Sequence, residues 1–229
     1  MQPSEMNEKV INEILGSVIQ TLVNQLKGEN APASCGRALS GETIPVELSA
    51  RHVHLSEADA MELFGHPLTP KRDLSQPGQF LAEERVRLIG PKGVMDNVAV
   101  LGPSRNATQV EISKTEARAL GVNPPVRMSG DVKGTPGIIL ASQSGIVGLE
   151  EGVIVAARHI HMSPEDASRL HVTDNERVSV HIDSERPVTL EDVVVRVSDQ
   201  FKLSMHIDPD EGNGMGWNSK ATGRIVARQ

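Results

Sequence analysis

Hydrophobic positions recur every three to four residues from Val10 to Leu26, at Val10, Ile11, Ile14, Leu15, Val18, Ile19, Leu22, Val23 and Leu26. Glu13, Gln20, Asn24 and Lys27 lie off that stripe. The spacing predicts an amphipathic helix within residues 1–27. Residues 28–43 lose the period and carry Gly, Pro and Ser, as a flexible linker does. A helix on such a tether can pack on its own domain, serve a dimer, or lay its apolar stripe in a groove of another protein. Its polar face is not rich in cations, which argues against a membrane-surface role.

After residue 43 the period changes from nearly four to two. IPVELSA, ERVRLIG, NVAVLG, TQVEIS, GVIVAAR, ERVSVHID, DVVVRVS and KLSMHID alternate β-branched and polar residues between turn-forming Gly, Pro, Asn and Asp. They read as strands. Short helices are expected after Ser56, Ser113 and Ser163, whose hydroxyls can cap SEADAMEL, SKTEARAL and SPEDASRL. Glu116 at the third helical position completes a capping box with Ser113, and Asp59 and Asp166 make weaker versions of it.

The strand region also repeats itself. SARHVHLS begins at Ser49 and AARHIHMS at Ala156; ERVRL at Glu84 matches ERVSV at Glu176; VEIS at Val110 matches MHID at Met205. We therefore expect a mainly β chain with two related small β-barrel domains, at 44–128 and 149–229, joined by a connecting segment at 129–148. An open sandwich satisfies the same strand pattern. Each His pair is expected at the end of a strand, immediately before a helix.

Composition narrows the functional classes. Against 30 Asp and Glu there are 23 Lys and Arg, a formal net charge of −7 that does not suit a nucleic-acid backbone, although a local cationic pocket for a small phosphorylated ligand remains compatible with it. A single cysteine, Cys35, excludes an intramolecular disulfide framework and fits a reducing compartment. No uncharged apolar run reaches 18 residues and no signal-peptide pattern opens the chain, so an intracellular protein with no integral membrane segment is expected.

The repeated histidines carry the chemistry. Residues two apart in a strand point to one face, about 7 Å apart, so His52 with His54, and His159 with His161, can each present two imidazoles to one cavity. Imidazole nitrogens suit zinc, with a third donor completing a site and one position left open for chemistry. The internal alignment supplies Glu111 to the first set and His206 to the second, without assigning each donor to an ion. Arg105, in a turn six residues before Glu111, can aim its fork at an anionic substrate or pair with a surface carboxylate. Arg51 and Arg158, beside the doublets, are expected on the opposite strand faces. The segment RMSGDVKGTPG offers glycine turns and Lys133, suited either to a long phosphorylated cofactor or to an ordinary interdomain turn. His66, His171, His181 and Trp217 read as surface, hydrogen-bonding or packing residues.

In order, SARHVHLS, GPSRNATQVEIS, PVRMSGDVKGTPG, AARHIHMS and HIDPDEGNGMGW resemble the phosphate propanoyltransferase family, the PduL-type phosphotransacylases, over about residues 44–226. The resemblance implies two β-barrel domains, a two-zinc site, and the reversible conversion of acyl-CoA and inorganic phosphate to acyl phosphate and CoA. It implies propanoyl-CoA or acetyl-CoA as the substrate and direct attack of phosphate on the thioester. Carried over residue by residue, it implies metal roles for His52, His54, Glu111, His159, His161 and His206. Arg105 takes a catalytic, phosphate-binding role, Asn213 a further phosphate contact, and Ser129 and Lys133 contacts to CoA. Family members with a short N-terminal amphipathic peptide and linker are cargo of bacterial microcompartments, as in propanediol degradation. The resemblance thus implies a cytoplasmic protein inside such a compartment, bound to shell or cargo proteins through residues 1–27, and a homodimer. The competing classes are a metal-dependent ester or thioester hydrolase and a zinc-stabilised structural module of the shell.

Overall fold

A computed structural model describes residues 42–226. The amphipathic segment, Cys35 and nearly all of the expected linker lie outside these residues. The chain is mainly β, and its strands divide between a closed barrel and an open sheet.

The barrel has six strands. They are β1 (Ile44–Leu48), β11 (His159–Met162), β12 (Arg177–Asp183), β13 (Val188–Val197), β14 (Ser204–Ile207) and β15 (Thr222–Val226), in the order β1-β14-β11-β13-β12-β15. Alternation puts Ile44, Val46, Ile160, Val180, Val195, Met205 and Ile225 inside, where they form one core. The open sheet follows the order β7-β10-β6-β2-β5-β4-β8-β9. Its strands are β2 (His52–Ser56), β4 (Phe80–Ile89), β5 (Val94–Arg105), β6 (Gln109–Glu111), β7 (Val126–Arg127), β8 (Ile138–Ala141), β9 (Ile146–Leu149) and β10 (Val153–Ala156). A short strand, β3 (Pro70–Asp73), pairs with β4.

Both sheets contain the same four-strand unit. The order β6-β2-β5-β4 in one matches β14-β11-β13-β12 in the other, with the same parallel and antiparallel senses. The sequence repeat is thus a structural repeat. Closure is not repeated. In the barrel, β12 is followed laterally by β15, which meets β1 and shuts the ring. In the open sheet β8 takes the position of β15, but its far edge is occupied by the antiparallel neighbour β9, so it never reaches β10. The expectation of two closed barrels is corrected to one barrel and one open sheet.

The sheets also exchange strands. β1, within the expected 44–128 unit, pairs in the barrel with β14 and β15. β10, within the expected 149–229 unit, pairs in the open sheet with β6 and β7. The sheet boundaries therefore cross the sequence units. The cause is link length. Only Ser49, Ala50 and Arg51 separate β1 from β2, and only Ala157 and Arg158 separate β10 from β11. Links this short hold the two strands nearly in line, and the chain passes from one sheet into the other as each Arg-His-x-His segment begins.

Among the described residues four helices follow strands. They are α1 (Glu57–Phe64), α2 (Lys114–Leu120), α3 (Pro164–Leu170) and α4 (Pro209–Met215). Ser56, Ser113 and Ser163 cap the first three as expected. Ser163 with Asp166 forms a complete capping box, like Ser113 with Glu116, because the shorter aspartate still reaches the cap N–H. α4 was not anticipated. Its signal is the Asp208-x-x-Glu211 box, which the glycines of EGNGMG obscure. No helix among the described residues is long and apolar enough to cross a membrane.

Candidate metal centre between the two sheets

Each His pair occupies its own short strand at a crossing point. On β2, His52 lies opposite Glu111 and His54 opposite Gln109 across the antiparallel ladder with β6. On β11, His159 lies opposite His206 and His161 opposite Ser204 across the ladder with β14. The third donors are held in turn by the exchanged strands. Glu111 sits beside Ile154 of β10, and His206 beside Glu47 of β1. Both sets face one cavity of about 460 Å³, which all six side chains line together with Arg105 and Ser129.

In the first set one ligand atom from each of His52, His54 and Glu111 lies within 4.8 Å of the others. Among the described residues these are the three donors drawn together this tightly. Nε2 of His52 is 3.4 Å from a Glu111 carboxylate oxygen, and Nε2 of His54 is 4.0 Å from the other. In the second set the ring centroids of His159, His161 and His206 lie 4.6–5.2 Å apart.

The hydrogen bonds orient these rings for a cation. Nδ1–H of His52 donates to the Ala50 carbonyl at 2.9 Å, and Nδ1–H of His159 to the Ala157 carbonyl at 2.8 Å. A carbonyl only accepts, so each Nδ1 carries the proton and Nε2 is left with its lone pair toward the cavity. Nε2 of His52 faces a carboxylate oxygen, an arrangement that a positive charge between them, a proton or a metal ion, satisfies. Nδ1 of His54 and of His161 are buried with no hydrogen-bond partner. An orphaned nitrogen in the buried His2Glu set, at His54, and another in the all-histidine set, at His161, fit bound metal ions better than a purely structural cluster, in which each would find a donor or acceptor.

The electrostatics agree for four of the five histidines. Burial favours the neutral form of His54 and, with the nearby His52 and Arg105, pushes its pKa down to about 3. Burial and the neighbouring histidines push His161 to about 2, and burial with His159 pushes His206 to about 3. Burial also lowers His159. These imidazoles stay neutral near pH 7 and keep the lone pairs that coordination requires. Burial by itself would lower His52 and raise Glu111, but their mutual attraction wins over both effects. The histidine is raised and the carboxyl is held well below the usual carboxylate range.

A second layer holds Glu111. Its carboxylate accepts from Gln109 Nε2 at 2.6 Å and from Ser129 Oγ at 3.0 Å, while Ser129 Oγ accepts from Arg105 at 2.9 Å. Ser129 thus couples Arg105 to the cluster. At the arginines beside the doublets the two halves again match. Arg51 pairs with Glu116 at the start of α2, and Arg158 with Glu211 at the start of α4. Each arginine next to a doublet is tied to the helix that follows its third donor.

Two expected site residues are not brought to the cavity. Asn213 is exposed on α4, and Lys133 is exposed in the loop before β8, where Gly130 and Gly134 adopt the positive φ anticipated for that segment. Other residues of the site went unrecognised. Gln109 and Ser204, hydrogen-bonded to Glu111 and His206, lie two residues before them, so the period-two rule applied to the doublets would have found them. Gln76, buried in the loop before β4, donates to Ser204 Oγ at 2.8 Å and joins the two halves. Arg196 and Phe201 also line the cavity. The position matching Arg196 in the other half holds Leu101, so the internal alignment carried no signal for the arginine.

Comparison with known proteins follows the same outline. The sequence profile of the phosphate propanoyltransferase family matches residues 45–218. A phosphate propanoyltransferase of Alkaliphilus metalliredigens is 49% identical over 223 residues, 96% of this chain and 100% of the relative. That of Leptotrichia buccalis is 55% identical over 186 residues, 80% of this chain and 88% of the relative. That of Salmonella typhimurium is 52% identical over 186 residues, 80% and 89% of the two chains.

Proposed function

Because the chain belongs to the phosphate propanoyltransferase family, we propose that its cavity transfers a short acyl group, propanoyl or acetyl, between CoA and inorganic phosphate. The observation that carries this reading is the meeting of both His doublets and their third donors in one cavity with Arg105.

His52, His54 and Glu111 would hold one divalent ion, and His159, His161 and His206 a second, with zinc the metal that best suits imidazole and carboxylate donors. Bound there, such ions supply Lewis-acid polarisation of a carbonyl and stabilise developing negative charge. The protein's own groups do the rest. Arg105, half-buried and steadied by Ser129, presents its guanidinium to phosphate oxygens. It orients the phosphate for attack on the thioester carbonyl. The new O–C bond forms as the C–S bond breaks, and the electron pair leaves on the CoA sulfur. Ser129 and Gln109 keep Glu111 ionised and in place throughout. CoA enters along the loop containing Ser129, with Lys133 farther out offering charge to its phosphates. Asn213, exposed on α4, has no part in this scheme.

The decisive experiment is a panel of acyl-CoA substrates with and without phosphate, following free thiol and acyl phosphate together. Thiol release that requires phosphate, matched by acyl phosphate, is the expected result. Thiol release without phosphate would make the protein a hydrolase. Unfolding on metal removal, with no transfer by the loaded protein, would make the cluster structural.

The periodicity of residues 10–26 supports a further part of the proposal, that this segment docks the enzyme on shell or cargo proteins of a bacterial microcompartment. A homodimer is proposed on the family resemblance alone. Deleting residues 1–27 should leave transfer activity near that of the full chain and abolish co-purification with shells. Undiminished encapsulation of the truncated protein would remove the docking role.

A further inference from the structure

Arg196 stands on β13 directly beside His161 in the parallel ladder with β11. Its guanidinium carbon lies 5.6 Å from the centre of the Phe201 ring, within cation–π range, and that ring packs 4.2 Å from His161. Arg196, Phe201 and His161 form a stack in the cavity wall beside the all-histidine set. The corresponding position beside His54, on β5, is Leu101. The two sets therefore differ twice, since the first has a carboxylate and an apolar neighbour where the second has a third imidazole and a cation.

The other half-buried arginines of the two sheets are all paired: Arg158 and Arg224 with carboxylates, and Arg85 with the backbone carbonyls of Ala82 and Glu84. Arg196 has no ion-pair partner among the described residues, and neither has Arg105, whose guanidinium is held by the Ser129 hydroxyl. Arg196 also acts electrostatically on Arg105 and on His159 and His161, so its charge is felt across the cavity. Arg105 feels the Glu111 carboxylate, but it and Arg196, both lining one cavity, also repel each other, and an anion between them removes that repulsion while matching both forks.

From this geometry, and resting on the transferase reading above, we infer that Arg196 is a second phosphate-binding arginine, contacting the inorganic phosphate from the side of the all-histidine set while Arg105 contacts it from the other. Phe201 acts as a positioning residue for it. The cation–π contact keeps the guanidinium in the wall, and the planar ring prevents it from folding back onto His161. The phosphoryl groups of CoA share the same chemistry, so the test must separate the two sources.

The experiment uses the full metal-loaded chain with Arg196→Gln and Arg196→Lys. Initial rates are measured with phosphate varied at saturating acyl-CoA, and with acyl-CoA varied at saturating phosphate. Loss of charge-assisted hydrogen bonds should raise KM for phosphate by about 10- to 100-fold in Arg196→Gln. A smaller rise is expected in Arg196→Lys, which keeps the charge but not the fork. KM for acyl-CoA should stay within about twofold. A rise confined to acyl-CoA would assign Arg196 to the CoA phosphates and overturn the inference. Unchanged KM for both substrates would reduce it to a wall residue.

Binding is read separately by the rise in melting temperature that inorganic phosphate produces. That rise should be present in the wild-type protein and lost in Arg196→Gln. If the wild type releases thiol without forming acyl phosphate, the transferase reading fails. The thermal shift then judges Arg196 independently, and a full shift in Arg196→Gln overturns the inference.

Discussion

Glu111→Ala is expected to abolish acyl transfer, lowering kcat by about 1,000-fold or more, and to strip the first metal set after dialysis. Glu111 is the only carboxylate among the six proposed donors, and it is buried at 8% exposure. It balances His52 and His54, and it receives hydrogen bonds from Gln109 and Ser129. Alanine leaves Gln109 short of an acceptor, frees Ser129 from its role in placing Arg105, and removes the negative charge that offsets a divalent ion. Glu111→Gln keeps the shape and loses the charge, so it separates the two contributions. If packing mattered most, Gln would restore activity; if charge matters, both variants fail alike. Metal content by atomic emission, with acyl phosphate formation measured on the same samples, checks the prediction. Full metal content and more than about a tenth of wild-type activity in either variant would contradict the assignment of Glu111.

Val46→Asp should produce the largest loss of stability. Val46 is at the centre of β1, 3% exposed, in the barrel core, with Met205 of β14 as its register partner. An unpaired carboxylate at this position costs about 4 kcal/mol or more, a large share of the stability of a domain. The damage should not stay local. β1 closes the barrel between β14 and β15, and its Glu47 lies beside His206, so loosening it also releases one wall of the site. Denaturant unfolding should show a collapsed midpoint or no folded baseline for Val46→Asp, and only a modest shift for Val46→Ala. An Asp variant with a wild-type midpoint would mean that β1 is not a barrel strand.

The reading of Val46 shows where local pattern stops. Alternation in IPVEL marks Ile44 and Val46 as inward-facing, and they are buried. Nothing in the alternation says which sheet they face. Backbone hydrogen bonds are blind to side-chain identity, so a strand's neighbour is chosen by chain connectivity and by competition among edges. The short link Ser49–Ala50–Arg51 sends β1 into one sheet and β2 into the other. The hairpin of β8 and β9 covers an edge that would otherwise have been free to close a second barrel. The same limits apply to the site. Period-two spacing placed His52 with His54 and His159 with His161, and the internal repeat led from them to Glu111 and His206, because both signals are carried by residues aligned along single strands. Gln76 comes from a loop more than a hundred residues from Ser204, and only the folded chain brings the two together.

The chain's linear pattern was therefore sufficient for the β character, the three serine-capped helices, the duplication and the cluster of His52, His54 and Glu111, all of which follow from periodicities of two and near four and from side-chain chemistry at repeated positions. Tertiary contacts alone decided that the halves trade β1 and β10, that one sheet stays open, that Asn213 and Lys133 stand away from the cavity, and that Arg196 and Arg105 line the same cavity. Those outcomes depend on link lengths and on competition for unpaired strand edges, quantities that no single stretch of residues specifies.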